Sequence, residues 1–117
     1  MARRGVLAAK VWAPGGSSNN LAEVTYTVPA NIAYTVVQVQ LTDQRQVVDQ
    51  EAAKSWFEVV RAGNTARCCR CGHNGYNFQF SFWEGVLNTG DTVRANADFP
   101  IAEGSINACI MGYEVAA

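Results

Sequence analysis

A two-residue alternation in the last third of the chain constrains its fold more than any other feature. Between Val86 and Phe99, Val93, Ala95 and Ala97 fall on one side of the chain and Thr92, Arg94, Asn96 and Asp98 on the other. That is the period of a half-buried β-strand, whose successive side chains point to opposite faces. Between Ser105 and Val115, Ile106, Ala108, Ile110 and Gly112 alternate with Asn107, Cys109, Met111 and Tyr113, so one face is apolar and the other mixed. Asn88-Thr-Gly-Asp91 supplies the turn before the first run, and Pro100 with Ala102-Glu-Gly-Ser105 breaks the chain between the two. A chain that closes on a strand in this way is expected to be a small autonomous β-domain.

The segments upstream carry the same signal. Val6 to Trp12 is a short apolar run, readable as an edge strand or an extended arm, and it stops at the turn-forming cluster Pro14-Gly-Gly-Ser-Ser-Asn-Asn20. Glu23 to Val28 alternates and is rich in β-branched and aromatic residues before Pro29-Ala-Asn31 forces a turn. Ala33 to Thr42 repeats the pattern with Val37, Val39 and Leu41 on one side, and the short connection predicts that these two strands pair as a hairpin. Asp43 to Lys54 holds enough helix formers for one short helix, with a polar loop as the alternative. Strands are predicted at Trp56–Val60, Ala66–Cys71 and Tyr76–Trp83, separated by turns at Arg61–Thr65 and Gly72–Gly75. In the last of these, Tyr76, Phe78, Phe80 and Phe82 share a face and are expected at the centre of the core, with Trp56 and Trp83 also inside.

About seven to eight strands at spacings of roughly 8–12 residues predict an all-β fold, an antiparallel, jelly-roll-like β-sandwich with at most one short helix. With 117 residues, 49% of them hydrophobic and only 16% charged, the chain can bury one continuous core. The division expected is an N-terminal arm and loop over 1–20 and a single sandwich domain over 21–117. A formal net charge of −1 offers no electrostatic case for nucleic acid or an anionic membrane as partner. Arg3 and Arg4, and the group Arg61, Arg67 and Arg70, read as solvated surface charges. No apolar run approaches the roughly 20 residues of a membrane span. The apolar part of Met1–Lys10 is too short for a secretory signal, so folding in a cytoplasm is expected.

Cys68, Cys69, Cys71, Cys109 and His73 are the residues that could carry metal or redox chemistry. On an extended strand Cys69, Cys71 and His73 would share one face, with Cys68 on the other and Cys109 as a possible fourth ligand for tetrahedral zinc. The single residue between Cys69 and Cys71 is shorter than structural zinc spacing, which leaves zinc, a disulfide and small buried thiols as the alternatives, with thiols favoured and no cofactor expected. His73 brings no third group with which to activate a cysteine, and Glu84 and Asp91 sit beside turns whose hydrogen bonds account for them. The phosphate-binding, zinc-protease and serine-hydrolase motifs are absent from the sequence, so no enzymatic activity is expected.

Tyr26-Thr-Val-Pro-Ala30 leading into a long alternating strand, Thr89-Gly-Asp-Thr-Val-Arg94, and the closing Gly112-Tyr-Glu-Val115 together resemble the small β-sandwich structural proteins of tailed-bacteriophage virions. The resemblance implies a non-enzymatic virion protein assembled in the host cytoplasm. The foremost role it implies is a capsid decoration, or cement, protein that binds the major capsid protein lattice and stabilises the head. The alternative is a tail or fibre-tip adhesin domain contacting a host glycan or protein. A homo-oligomer, dimer or trimer, is expected, and Val6, Leu7, Val11 and Trp12 on the opening segment are the residues expected to contact a partner.

Overall fold

The computed structural model describes residues 3–12, 24–47, 53–73, 79–97 and 102–117. Among these residues every regular element is a strand. They are β1 (Arg3–Trp12), β2 (Thr25–Thr27), β3 (Ile32–Asp43), β4 (Gln46–Val47), β5 (Ala53–Arg61), β6 (Asn64–His73), β7 (Gln79–Asn88), β8 (Thr92–Ala97), β9 (Ala102–Glu103) and β10 (Ile106–Ala116). Two antiparallel four-stranded sheets result, β1-β10-β3-β7 (sheet A) and β2-β8-β5-β6 (sheet B), with β4 and β9 forming a small separate ribbon. Within the two sheets, only β5 and β6 are consecutive strands lying side by side; the chain otherwise passes from one sheet to the other. This is the jelly-roll-like sandwich that the strand and turn pattern predicts.

The alternation read from the sequence is the alternation that builds the core. Ile106, Ala108 and Ile110 of β10 and Val37, Val39 and Leu41 of β3, from sheet A, are buried in one core with Val93, Ala95 and Ala97 of β8 and Phe57 of β5, from sheet B. Two buried polar clusters tie the sheets together at separate points. In one, the Tyr26 hydroxyl of β2 donates to a Glu114 oxygen of β10 at 2.5 Å and lies 2.8 Å from the Thr35 hydroxyl of β3, while the Arg4 guanidinium of β1 holds the other Glu114 oxygen at 2.6 Å. In the other, Asp43 of β3 accepts from Arg45 at 2.9 and 3.0 Å and from the Ser55 hydroxyl of β5 at 2.8 Å, and Arg45 also donates to the Lys54 carbonyl at 3.0 Å. Neither Asp43 nor Arg45 is exposed by more than 1%, and the paired geometry offsets the cost of burying both charges.

Several expectations need correction. The segments around Val24–Val28 and Ala33–Leu41 do not form a hairpin, because β3 is paired along its length with β10 on one side and β7 on the other. With both edges of β3 occupied, β2 crosses after Pro29 and pairs with β8 in the opposite sheet. Residues 43–47 are not helical: buried Arg45 is anchored to Asp43 and the chain runs on into β4, so tertiary bonds override helix propensity there. Residues 48–52 lie outside the described residues.

The aromatic strand is also turned about. Phe80 and Phe82 are 56% and 44% exposed, whereas Trp83 and Leu87, in the other phase of β7, point inward. Tyr76 and Phe78 lie outside the described residues. Glu84 shares the phase of Phe82, and a carboxylate without a partner cannot enter a core, so the exposed phase was marked in the sequence. Gly85 lies beneath the Trp83 indole, and a Cβ there would collide with the ring. Trp56 is buried on the outer face of sheet B, under the Arg67 guanidinium at 4.1 Å from its ring.

Candidate interaction surface

The outer face of sheet A is assembled by register alone. Moving across β1, β10, β3 and β7, one row holds Leu7, Met111, Gln38 and Glu84, the next Ala9, Cys109, Gln40 and Phe82, and the next Val11, Asn107, Thr42 and Phe80. A further row brings Gly5, Tyr113, Val36 and Val86 together. The large hydrophobic residues with strongly exposed side chains among the described residues are Leu7 (73%), Val11 (64%), Phe80, Phe82 and Val86 (52%), and all five stand on this face. Two come from β1 and three from β7, the two edge strands, so the apolar side chains flank a centre of amides, a threonine and a methionine. A hollow of about 290 Å³ opens between Ala9, Val11, Gln40, Asn107 and Cys109.

Soluble proteins scatter single exposed hydrophobic residues, and five large ones gathered on one sheet face around a polar centre mark a candidate interaction surface. Four strands about 4.8 Å apart and about ten residues long give a face on the order of 20 by 33 Å. That footprint approaches the roughly 800 Å² each partner contributes to a standard protein interface.

Of the four residues expected to contact a partner, the structure places Leu7 and Val11 on this face and brings them into register with Phe82's neighbours. Val6 belongs to the inward phase of β1, half-buried opposite Gly112. The backbone of Trp12 pairs with Ile106, and its side chain lies outside the described residues. The segment that carries them is an edge strand of the sheet over 3–12, paired residue by residue with β10. Phe80, Phe82 and Val86 were missed by the sequence reading; the charge in phase with them, Glu84, was the available signal.

The cysteines separate by the same geometry. Cys69 and Cys71 are buried between the sheets, and the Cys71 thiol donates to the Leu41 carbonyl at 3.7 Å. A register shift at Phe57/Glu58 makes Cys68 the extra residue of β6, so it too packs against the core rather than facing away. Cys109 stands on the outer face of sheet A, on the far side of that sheet from the other three. It cannot complete a shared ligand set, and among the described residues no three His, Cys, Asp or Glu side chains gather around a point. Burial pushes the Cys68 thiol up to about 12 and the Cys71 thiol up to about 11, and raises Cys69 and Cys109 as well. Protonated thiols of this kind are poor nucleophiles at neutral pH.

The carboxylates nearest to a cleft are structural. Asp91 accepts from Arg61 at 2.7 Å and from the Asn88 backbone N–H at 2.9 Å, closing the turn between β7 and β8. Beside it, a cleft of about 510 Å³ opens where β6 and β7 diverge, lined by Val59, Ala66, Cys68, Trp83 and Leu87 with Arg61 at its edge. Asn64, Thr65 and Arg67 also line it, so the lining is mixed, with no base or nucleophile pair among the described residues that line it.

No family model and no curated protein matches the chain. Among solved structures it is similar to the globular domain of zebrafish complement 1qA protein, with a TM-score of 0.53 and 8% sequence identity over 97% of this chain and 95% of that one. At that identity the likeness concerns architecture, and the described residues form an antiparallel β-sandwich with jelly-roll-like strand order.

Proposed function

We propose that the chain is a non-enzymatic structural protein that works by protein–protein adhesion, and that copies of it associate through the outer face of sheet A into a dimer or trimer. One observation carries the reading: the five strongly exposed large hydrophobic side chains all stand on one face of one sheet. Burying them removes apolar surface from water at about 25 cal/mol per Å², and the neighbouring Gln38, Gln40, Thr42 and Asn107 supply hydrogen bonds that fix orientation. The buried carboxylates Asp43, Glu58, Asp91 and Glu114 are each occupied by an arginine, which supports a role without catalysis.

The wider setting is a virion, as the resemblance carried by Tyr26–Ala30, Thr89–Arg94 and Gly112–Val115 implies, with the major capsid protein lattice as the surface that the assembly decorates. Repetition of weak contacts over a symmetric lattice supplies avidity. Leu7→Asp combined with Phe82→Asp tests the adhesive face, since both side chains stand in solvent and neither supports the core. The double variant is expected to keep a wild-type thermal transition while sedimenting as a single chain. A double variant that keeps the wild-type assembly state overturns the reading.

A further inference from the structure

The outer face of sheet B differs in kind from that of sheet A. Its middle strand β5 presents Lys54, Trp56, Glu58 and Val60, with Arg67 and Arg70 of β6 on one side and Thr92, Arg94 and Asn96 of β8 on the other. Thr25 and Thr27 of β2 extend the face beyond β8. Among the described residues this face carries four cations, Lys54, Arg67, Arg70 and Arg94, against one carboxylate, Glu58. The whole chain has a formal charge of −1, so positive charge is concentrated on one side of the molecule.

Two of the three arginines, Arg67 and Arg94, are held in place. The Arg67 guanidinium carbon lies over the Trp56 ring, 4.1 Å from its centroid, a cation–π contact that restrains the side chain. The Trp56 indole N–H donates to Glu58 at 3.3 Å, and the same carboxylate receives Arg94 Nε at 2.5 Å. Arg94 remains 37% exposed, while the Glu58 side chain is only 10% exposed. The single negative group is therefore covered by the cations it organises, and an approaching partner meets guanidinium edges, while the Thr27 and Thr92 hydroxyls bond each other at 2.7 Å. Guanidinium forks match carboxylates in bidentate geometry, and pre-ordered side chains lose less entropy on binding.

We propose that the outer face of sheet B is a second docking surface, and that its occupant is an acidic protein surface presenting several carboxylates. The charge complementarity is local. A long polyanion such as nucleic acid extends past this small face and meets the chain's acidic remainder, whereas a patch of protein carboxylates ends where the cations end. This surface is independent of the apolar face, and it stands whether or not sheet A joins copies of the chain. The two faces give the sandwich a polarity, apolar on one side and cationic on the other.

The test uses the full chain with two fluorescent probes, a sixteen-residue poly-glutamate peptide and a duplex oligonucleotide of about equal charge, read by anisotropy from low to physiological salt. The control pair is wild type against Lys54→Glu combined with Arg70→Glu, residues whose side chains carry none of the inter-sheet bonds. Expected is saturable binding of the poly-glutamate that weakens with salt and falls at least tenfold in the double variant, with unchanged circular dichroism. Absence of poly-glutamate binding overturns the proposal, as does binding that the double variant leaves intact. Tighter binding of the oligonucleotide at equal salt overturns the choice of partner. Should the double variant fail to fold, Arg70→Gln alone is read in the same assay, and an affinity equal to wild type counts against the proposal.

Discussion

Glu114 sits where three strands meet, and its surroundings make a definite statement about pH. The hydrogen bond from the Tyr26 hydroxyl, helped by Arg4 and opposed by burial, holds its carboxyl below the usual glutamate range. Asp91 is held low as well: burial works against ionisation there, and the Arg61 and Asn88 hydrogen bonds outweigh it. A carboxyl whose folded pKa is depressed stabilises the fold above its unfolded pKa, and the contribution disappears as pH falls through the folded value. Acid should therefore begin to destabilise the protein in the ordinary carboxylate range and go on doing so down to the lowered folded values. Tyr26→Phe removes the foremost partner of ionised Glu114, so the acid midpoint, followed by circular dichroism, should move to higher pH. The same variant should lose about 1–2 kcal/mol at neutral pH in urea titration; an unmoved acid midpoint would show that Tyr26 does not hold the charge. Gly112, two residues before Glu114, has φ of 155° and lies so close to β3 that a Cβ would collide with the Val36 carbonyl oxygen. Gly112→Ala should cost about 3 kcal/mol or more through overpacking against backbone, measured as a lower melting temperature. Tyr26 and Glu114 were both legible as parts of turn-and-strand motifs. Their meeting across the sandwich was not, because residues 88 positions apart leave no mark on each other in one sequence.

At the scale of the elements, alternation was a reliable guide wherever one phase was wholly apolar. β8 over 93–97 and β10 over 106–110 are of that kind, and their buried sides are Val93, Ala95, Ala97 and Ile106, Ala108, Ile110, whereas the same phase of β10 ends on buried Glu114. β7 has bulky residues in both phases, and the aromatic count pointed to Phe80 and Phe82 while the carboxylate of Glu84 pointed the other way. Pairing was less legible than the strands themselves. The short Pro29–Asn31 connection suggested a hairpin, yet β3 has both edges taken by distant strands, and no local signal announces that. β1 is the element on which the proposed adhesive face and the stability of the sheet overlap. It pairs with β10 from Arg3 to Trp12, contributes Ala8 to the packing and brings Arg4 to Glu114. Removing residues 1–12 should lower the melting temperature, raise the acid midpoint and leave β10 as a bare edge prone to pairing with other chains. A truncated chain with the wild-type melting temperature would mean that β1 contributes nothing to the sheet it borders.

For the molecule as a whole, the sandwich presents an apolar face on sheet A and a cationic face on sheet B, separated by one core. Composition alone hid this division, since a formal charge of −1 and 49% hydrophobic residues describe an average over both sides. Of the partner residues expected on the opening segment, Leu7 and Val11 stand on the exposed face of sheet A, and Phe80, Phe82 and Val86 stand on it from the opposite edge. The proposed virion role rests on a resemblance of sequence motifs, whereas the proposed adhesive face rests on five side chains whose exposure is unfavourable for an isolated chain. Sedimentation equilibrium of the unmodified full chain at micromolar concentration tests that claim most directly. The account predicts a mass two or three times that of one chain, and a monomer across the whole concentration range would contradict it.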